Sequence, residues 1–148
     1  MENVSPASHH VMIAEDDDDD FYIFSVAIEE LSITILLTRA RNGDILIRLL
    51  NDKIPDILFI DLMLPGKDGR QCLKEIRANH KYDSLPVIMY TSMKDVREIE
   101  FCYREGANLY VIKPTGFSDL KTILERILAI DWKKVMYYPP LTQFVVNG

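Results

Sequence analysis

Five short apolar runs alternate with segments that carry a helical apolar stripe, and this alternation restricts the chain to few architectures. The runs are residues 10–14, 33–40, 56–60, 86–91 and 109–112. Three of them, "DILFI", "PVIMY" and "LYVI", are almost continuously apolar, as expected of strands buried on both faces. Helices are expected between and after them, over residues 18–31, 43–50, 69–79, 95–105 and 117–129. Phe21, Phe24, Ala27, Ile28 and Leu31 line one side of the first, and Leu120, Ile123, Leu124, Ile127 and Leu128 one side of the last. Strand–helix repeats of this kind predict an α/β fold: a doubly wound, five-stranded parallel sheet with helices on both faces. The tail, "DWKKVMYYPPLTQFVVNG", is aromatic, Pro-interrupted and outside the alternation.

A chain of 148 residues that is 48% apolar suits one compact domain. We expect that domain over residues 1–130, with its core at about 11–128. Residues 131–148 are expected to form a tail that packs on the domain or on a partner. The formal charge of −6 argues against direct nucleic-acid binding, which needs a basic footprint. Cys72 and Cys102 lie far apart with no C-x-x-C pairing and read as reduced core thiols. No apolar run reaches membrane-spanning length, and residues 1–8 lack the charged and apolar regions of a signal peptide. A soluble cytoplasmic protein, not inserted in a membrane, is the expectation. His9, His10 and His80 offer no metal-binding spacing and are expected to face solvent.

In an open parallel sheet, ligands bind beyond the carboxyl ends of the strands. The first run ends on Glu15 and Asp16, the third on Asp61, the fourth on Thr91 and Ser92, and the fifth on Lys113 and Pro114. Three carboxylates, a hydroxyl and an ammonium thus converge on one edge. Two or three carboxylates suit Mg²⁺, a hard cation that prefers oxygen. A lysine and a hydroxyl suit the remaining oxygens of a phosphoryl group. In such surroundings Asp61 can stay ionised and act as a nucleophile toward phosphorus.

These motifs resemble the receiver domain of two-component response regulators, the family of the chemotaxis response regulator. The matching features are the acidic pair, "DLMLPGKDG", "TS" and "KP", in order over about residues 11–128. The resemblance implies the flavodoxin-like strand order 2-1-3-4-5. It also implies that Asp61 takes a phosphoryl group from a phosphohistidine on a sensor histidine kinase or a histidine phosphotransfer protein. Asp16 resembles the direct Mg²⁺ ligand, Glu15 the acid that holds the ion largely through water, and Met63 the residue whose backbone carbonyl completes the set. Thr91 resembles the switch hydroxyl, Tyr110 the switch aromatic and Lys113 the phosphate partner. A cis Lys113–Pro114 bond is implied as well. The domain would catalyse its own phosphorylation and slow dephosphorylation, and would change the surface it offers to a downstream protein partner.

Some features extend or depart from the pattern. Met63 puts a thioether near the route of hydrolytic water, and Gly66 joins the turn glycine Gly69 in "PGKDGR". With only the short tail after the fifth helix, a stand-alone receiver without an effector domain is the expectation. Two other functions compete. A phosphatase of the haloacid-dehalogenase type wants a second acid two residues after its nucleophile, where this chain has Met63. A phosphorylation-independent pseudo-receiver usually lacks an acid or the lysine, and this chain has all of them.

The run "EDDDDD" has two expected jobs. Glu15 and Asp16 follow the strand and face the metal. Asp17 to Asp20 precede the helical stripe and serve its N-terminus, with Asp17 as the cap and Asp18 the next choice.

Overall fold

The computed structural model describes residues 9–134 and 136–148. The first eight residues of the expected domain, and Val135 of the tail, lie outside the described residues. The chain runs β1 (His9–Ala14), α1 (Asp18–Glu29), β2 (Ile35–Ala40), α2 (Gly43–Asp52), β3 (Ile57–Ile60) and α3 (Gly69–Ala78). A 3-10 turn, His80–Tyr82, leads to β4 (Val87–Thr91), α4 (Val96–Arg104), β5 (Leu109–Ile112) and α5 (Phe117–Ala129). The tail adds α6 (Leu141–Phe144) and β6 (Val145–Val146).

All strand pairs are parallel, in the order β2-β1-β3-β4-β5-β6. The five-strand core has the expected order 2-1-3-4-5. Successive strand residues go to opposite faces, and both faces are covered. Met12, Ala14, Leu58, Ile60, Val87, Met89 and Tyr110 pack on one side with the inner faces of α2, α3 and α4. Val11, Ile13, Ile57, Phe59, Ile88, Tyr90, Leu109 and Val111 pack on the other with α1 and α5. Three rings, Phe24, Phe59 and Tyr90, meet edge to face beneath α1.

Helix starts follow local chemistry. Asp17, Asn42, Asp68 and Asp95 each accept a backbone N–H at a helix N-terminus. Asp68 and Gln71 complete a capping box. Asp95, expected as the first helical residue of α4, is instead its cap. β2 starts two residues later than the apolar pattern suggests, because its pairing begins at His9 opposite Ile35.

The sixth strand was not legible in the sequence. α5 runs antiparallel to the sheet and returns the chain to the amino edge, so a strand that re-enters there must be parallel. Asn108 Nδ2 donates to the Tyr137 carbonyl at 2.8 Å and holds the returning segment at that edge. β6 then pairs with β5, setting Tyr110 opposite Val145. Phe144 is fully buried against Tyr103 of α4 and Tyr110 of β5, with ring centroids 5.2 and 6.2 Å away.

Two further expectations need correction. Among the described residues every peptide bond is trans, including Lys113–Pro114; trans is the intrinsic preference even before proline. His9 and His10 are half-buried rather than solvent-facing, and His10 Nε2 lies 2.8 Å from Thr38 Oγ1 on the neighbouring strand. Cys72 and Cys102 are buried free thiols, both pushed up to about 12 by desolvation. Thiols held so far from ionisation are poor nucleophiles in the folded state.

Candidate functional site

The strand order reverses between β1 and β3, which opens a crevice at their carboxyl ends. The backbone ladder continues one step past the strands and fixes what stands there. Glu15 N–H donates to Ala40 O, Asp61 N–H to Ala14 O and Lys113 N–H to Thr91 O, at 3.0, 3.0 and 2.8 Å. The side chains of Glu15, Asp61 and Lys113 are therefore placed by sheet register rather than by mobile loops. Gly69 keeps the turn after Asp61 closed, because a Cβ there would collide with the Asp61 carbonyl and the Leu62 backbone. Gly66 supplies the positive φ, +69°, that the same loop requires.

Glu15, Asp16, Asp17, Asp20, Asp61, Met63, Thr91, Ser92 and Lys113 line one pocket of about 260 Å³. Lys113 is its hub. Its Nζ lies 2.8 Å from Glu15 Oε1, 2.8 Å from Asp20 Oδ2 and 2.9 Å from Asp61 Oδ2. The approach to Glu15 Oε1 is an ion pair without hydrogen-bond alignment, so that buried oxygen keeps unfilled acceptor capacity. Burial pushes the Glu15 carboxyl up to about 7, against the opposing pull of Lys113. Burial also works to lower the Lys113 ammonium, but the three carboxylates outweigh it and hold the group above the ordinary lysine range.

The remaining expected residues fall in three places. Asp16 is exposed at the pocket mouth. Met63 is exposed beside it, its backbone N–H donating to Asp61 Oδ1 at 3.1 Å. Thr91 is fully buried, and its hydroxyl has one long contact, from Met93 N at 3.4 Å. Tyr110 does not line the pocket. It lies under the β4–α4 loop, where its hydroxyl donates to Met93 O at 2.8 Å.

A metal's requirements are met in chemistry more than in arrangement. Among the described residues no three His, Cys, Asp or Glu side chains stand close enough together to hold an ion as they are. Lys113 supplies the positive charge among the acids instead. The donor set still fits a hard cation: Glu15, Asp16 and Asp61 all line the pocket, and a buried Glu15 oxygen lacks a directed hydrogen bond.

Two residues of the site were missed in the sequence. Asp20 reaches Lys113 from the first turn of α1. Arg39, at the end of β2, donates to the carbonyls of Glu15 and Asp16 at 3.0 and 3.2 Å, pairs with Asp18 at 2.9 Å and stacks over Phe21. Arg39 thereby secures the backbone that presents the acid pair. A charged residue near the carboxyl end of a mostly apolar β2 was the available signal.

The acids do divide as expected at Asp17, whose Oδ1 accepts Asp20 N–H at 2.9 Å as the α1 cap. Asp17→Ala should cost about 1 kcal/mol of stability, the usual value of a lost cap. Urea melts check this; an unchanged midpoint would mean that another group caps α1.

The model for the response regulator receiver domain matches residues 11–125. The chain belongs to that family. As a receiver domain it is a module of two-component signalling, and receivers typically carry phosphoryl on an aspartate and generally bind Mg²⁺ at that site. The transcriptional regulator NtrC of Salmonella typhimurium is 30% identical over 119 residues, 80% of this chain. The chain spans about a quarter of that regulator's length. The phosphorylated cyanobacterial phytochrome response regulator RcpA superposes with a TM-score of 0.75 at 25% identity, covering 82% of this chain and 91% of RcpA. The Mn²⁺-bound response regulator Rcp1 shares the fold, with a TM-score of 0.76 at 24% identity over 89% of this chain and 99% of Rcp1. Among the described residues of this receiver, no helix is long and apolar enough to cross a membrane.

Proposed function

We propose that this receiver accepts a phosphoryl group on Asp61 from the phosphohistidine of a sensor histidine kinase or histidine phosphotransfer protein, and thereby changes the face it offers to a downstream protein. The observation that carries this reading is the buried Asp61 carboxylate at the carboxyl end of the central strand, 2.9 Å from the Lys113 ammonium in an acid-lined pocket. RcpA, similar over most of both chains, is a phosphorylated protein, which supports the same reading.

Asp61 supplies the attacking oxygen, and the P–N bond to the donor imidazole breaks as the O–P bond forms. Lys113 stands beside that oxygen and can follow the negative charge that arrives on the phosphoryl group. Thr91 offers a buried hydroxyl with little competing hydrogen bonding. Glu15, Asp16 and Asp61, with the Met63 carbonyl, would hold Mg²⁺, which when bound offsets the charge of donor and acceptor oxygens. The acylphosphate carries about −1.5 to −2 charge units where the carboxylate carried −1, so the site gains up to about one negative charge. Its pull on Lys113 and Thr91 displaces the ends of β5 and β4, and Tyr110 follows through its bond to Met93 O. The result is a population shift between two states of the α4–β5 face.

The domain comprises residues 1–130 and the tail 131–148, in our reading, and it works in the cytoplasm through protein partners rather than nucleic acid. A phosphoryl mimic tests the function. Beryllofluoride with Mg²⁺ should shift the backbone NMR signals of residues 61, 91, 110 and 113, and removing Mg²⁺ with EDTA should reverse the shifts. Absence of any shift, or shifts indifferent to Mg²⁺, would contradict the proposal.

A further inference from the structure

We infer that Asp20 is a positioning residue that holds the Lys113 ammonium while Asp61 is unmodified and opposes the phosphoryl-loaded state; this rests on the reading of Asp61 as phosphoacceptor. Asp20 lies in the first turn of α1, and its Oδ2 is 2.8 Å from Lys113 Nζ, as close as any other carboxylate there. Three carboxyl groups share one ammonium, whose side chain is only 10% exposed. Glu15 and Asp61 are buried on backbone that the sheet fixes, whereas Asp20 is half exposed on the helix surface.

The phosphoryl oxygens therefore have to win Lys113 from an existing partner. Once they do, Asp20 is left as an unpaired carboxylate facing a dianion across the same pocket. Both effects have one sign: they favour the unmodified state and lower affinity for a phosphoryl mimic. A cap role does not explain the geometry, because Asp17 already caps the helix and uses the backbone, not the side chain, of Asp20.

The test is a beryllofluoride titration at saturating Mg²⁺ on the whole chain, followed by NMR, for wild type, Asp20→Asn, Asp20→Ala, Asp20→Glu and Asp19→Asn. Asp19 is an exposed neighbour in the same helical turn. Asp20→Asn and Asp20→Ala should bind the mimic about three- to fivefold more tightly, the equivalent of one partly exposed ion pair. Asp20→Glu, which keeps the charge, should return toward wild type, and Asp19→Asn should match it. A purely structural role would weaken binding in the Asn and Ala variants, the opposite direction. If wild type binds and those two variants bind equally well or less tightly, the inference is overturned while the Asp61 reading stands. If wild type itself takes up no mimic, the Asp61 reading and this inference fall together.

Discussion

Lys113→Ala should destabilise the metal-free protein by about 2–3 kcal/mol at pH 8. Removing one member of a buried ionic cluster typically costs about 3–5 kcal/mol, and water reaching Asp20 at the pocket mouth screens part of that. The variant leaves Glu15 and Asp61 buried side by side with no cation between them. The pH dependence has a definite sign. The folded Glu15 carboxyl is already pushed up to about 7 by burial, and losing Lys113 removes an opposing pull and raises it further. A carboxyl raised on folding costs stability when ionised, and that cost disappears as pH falls through the folded value toward the unfolded one. The defect of Lys113→Ala should therefore be largest at pH 8 and clearly smaller at pH 6. Mg²⁺ should also stabilise the variant more than wild type, since it binds only the folded pocket. Urea melts at the two pH values, with and without Mg²⁺, measure all of this. A defect of equal size at pH 6 and pH 8 would mean that packing, not charge, is what Lys113 provides.

Arg77→Ala should have a comparable or larger effect far from the pocket, about 3–5 kcal/mol. Arg77 is half-buried, and its guanidinium donates to the carbonyls of Gly106, Tyr82 and Leu85 and to Asn108 Oδ1, at 2.8–2.9 Å. Asn108 in turn accepts Val87 N–H and holds the tail at Tyr137, so one side chain ties α3, the amino ends of β4 and β5, and the tail together. Alanine leaves several buried acceptors without a donor. Arg77→Lys should recover less than half of the loss, because an ammonium cannot reach all four acceptors of the planar fork. The denaturation midpoint decides this, and beryllofluoride affinity at temperatures where the variants are folded should be unchanged. Full recovery by lysine would mean that charge alone suffices.

The contrast between these two sites shows what the sequence could reveal. Glu15, Asp61, Thr91 and Lys113 were legible because each ends an apolar strand, and sheet register carries strand ends to one edge. Asp17 was legible because capping is local. Asp20 and Arg39 were not, since their contacts depend on how α1 and β2 lean over the pocket, which no periodicity encodes. Arg77 read as one more charge on an amphipathic helix; its acceptors are carbonyls, which every residue has. The tail defeated the pattern because two prolines and a two-residue strand leave no repeat to detect, and its place on β5 is set by Phe144 filling the space beside Tyr110.

We propose above that Asp61 takes the phosphoryl group. Incubation with acetyl phosphate and Mg²⁺, followed by borohydride reduction and mass spectrometry of the peptides, locates the acylphosphate directly. Wild type should show the modification at Asp61 alone, and Asp61→Asn, whose amide is a far weaker nucleophile, should show none. Modification of another residue in wild type, or undiminished labelling of Asp61→Asn, would rule out Asp61 as the acceptor.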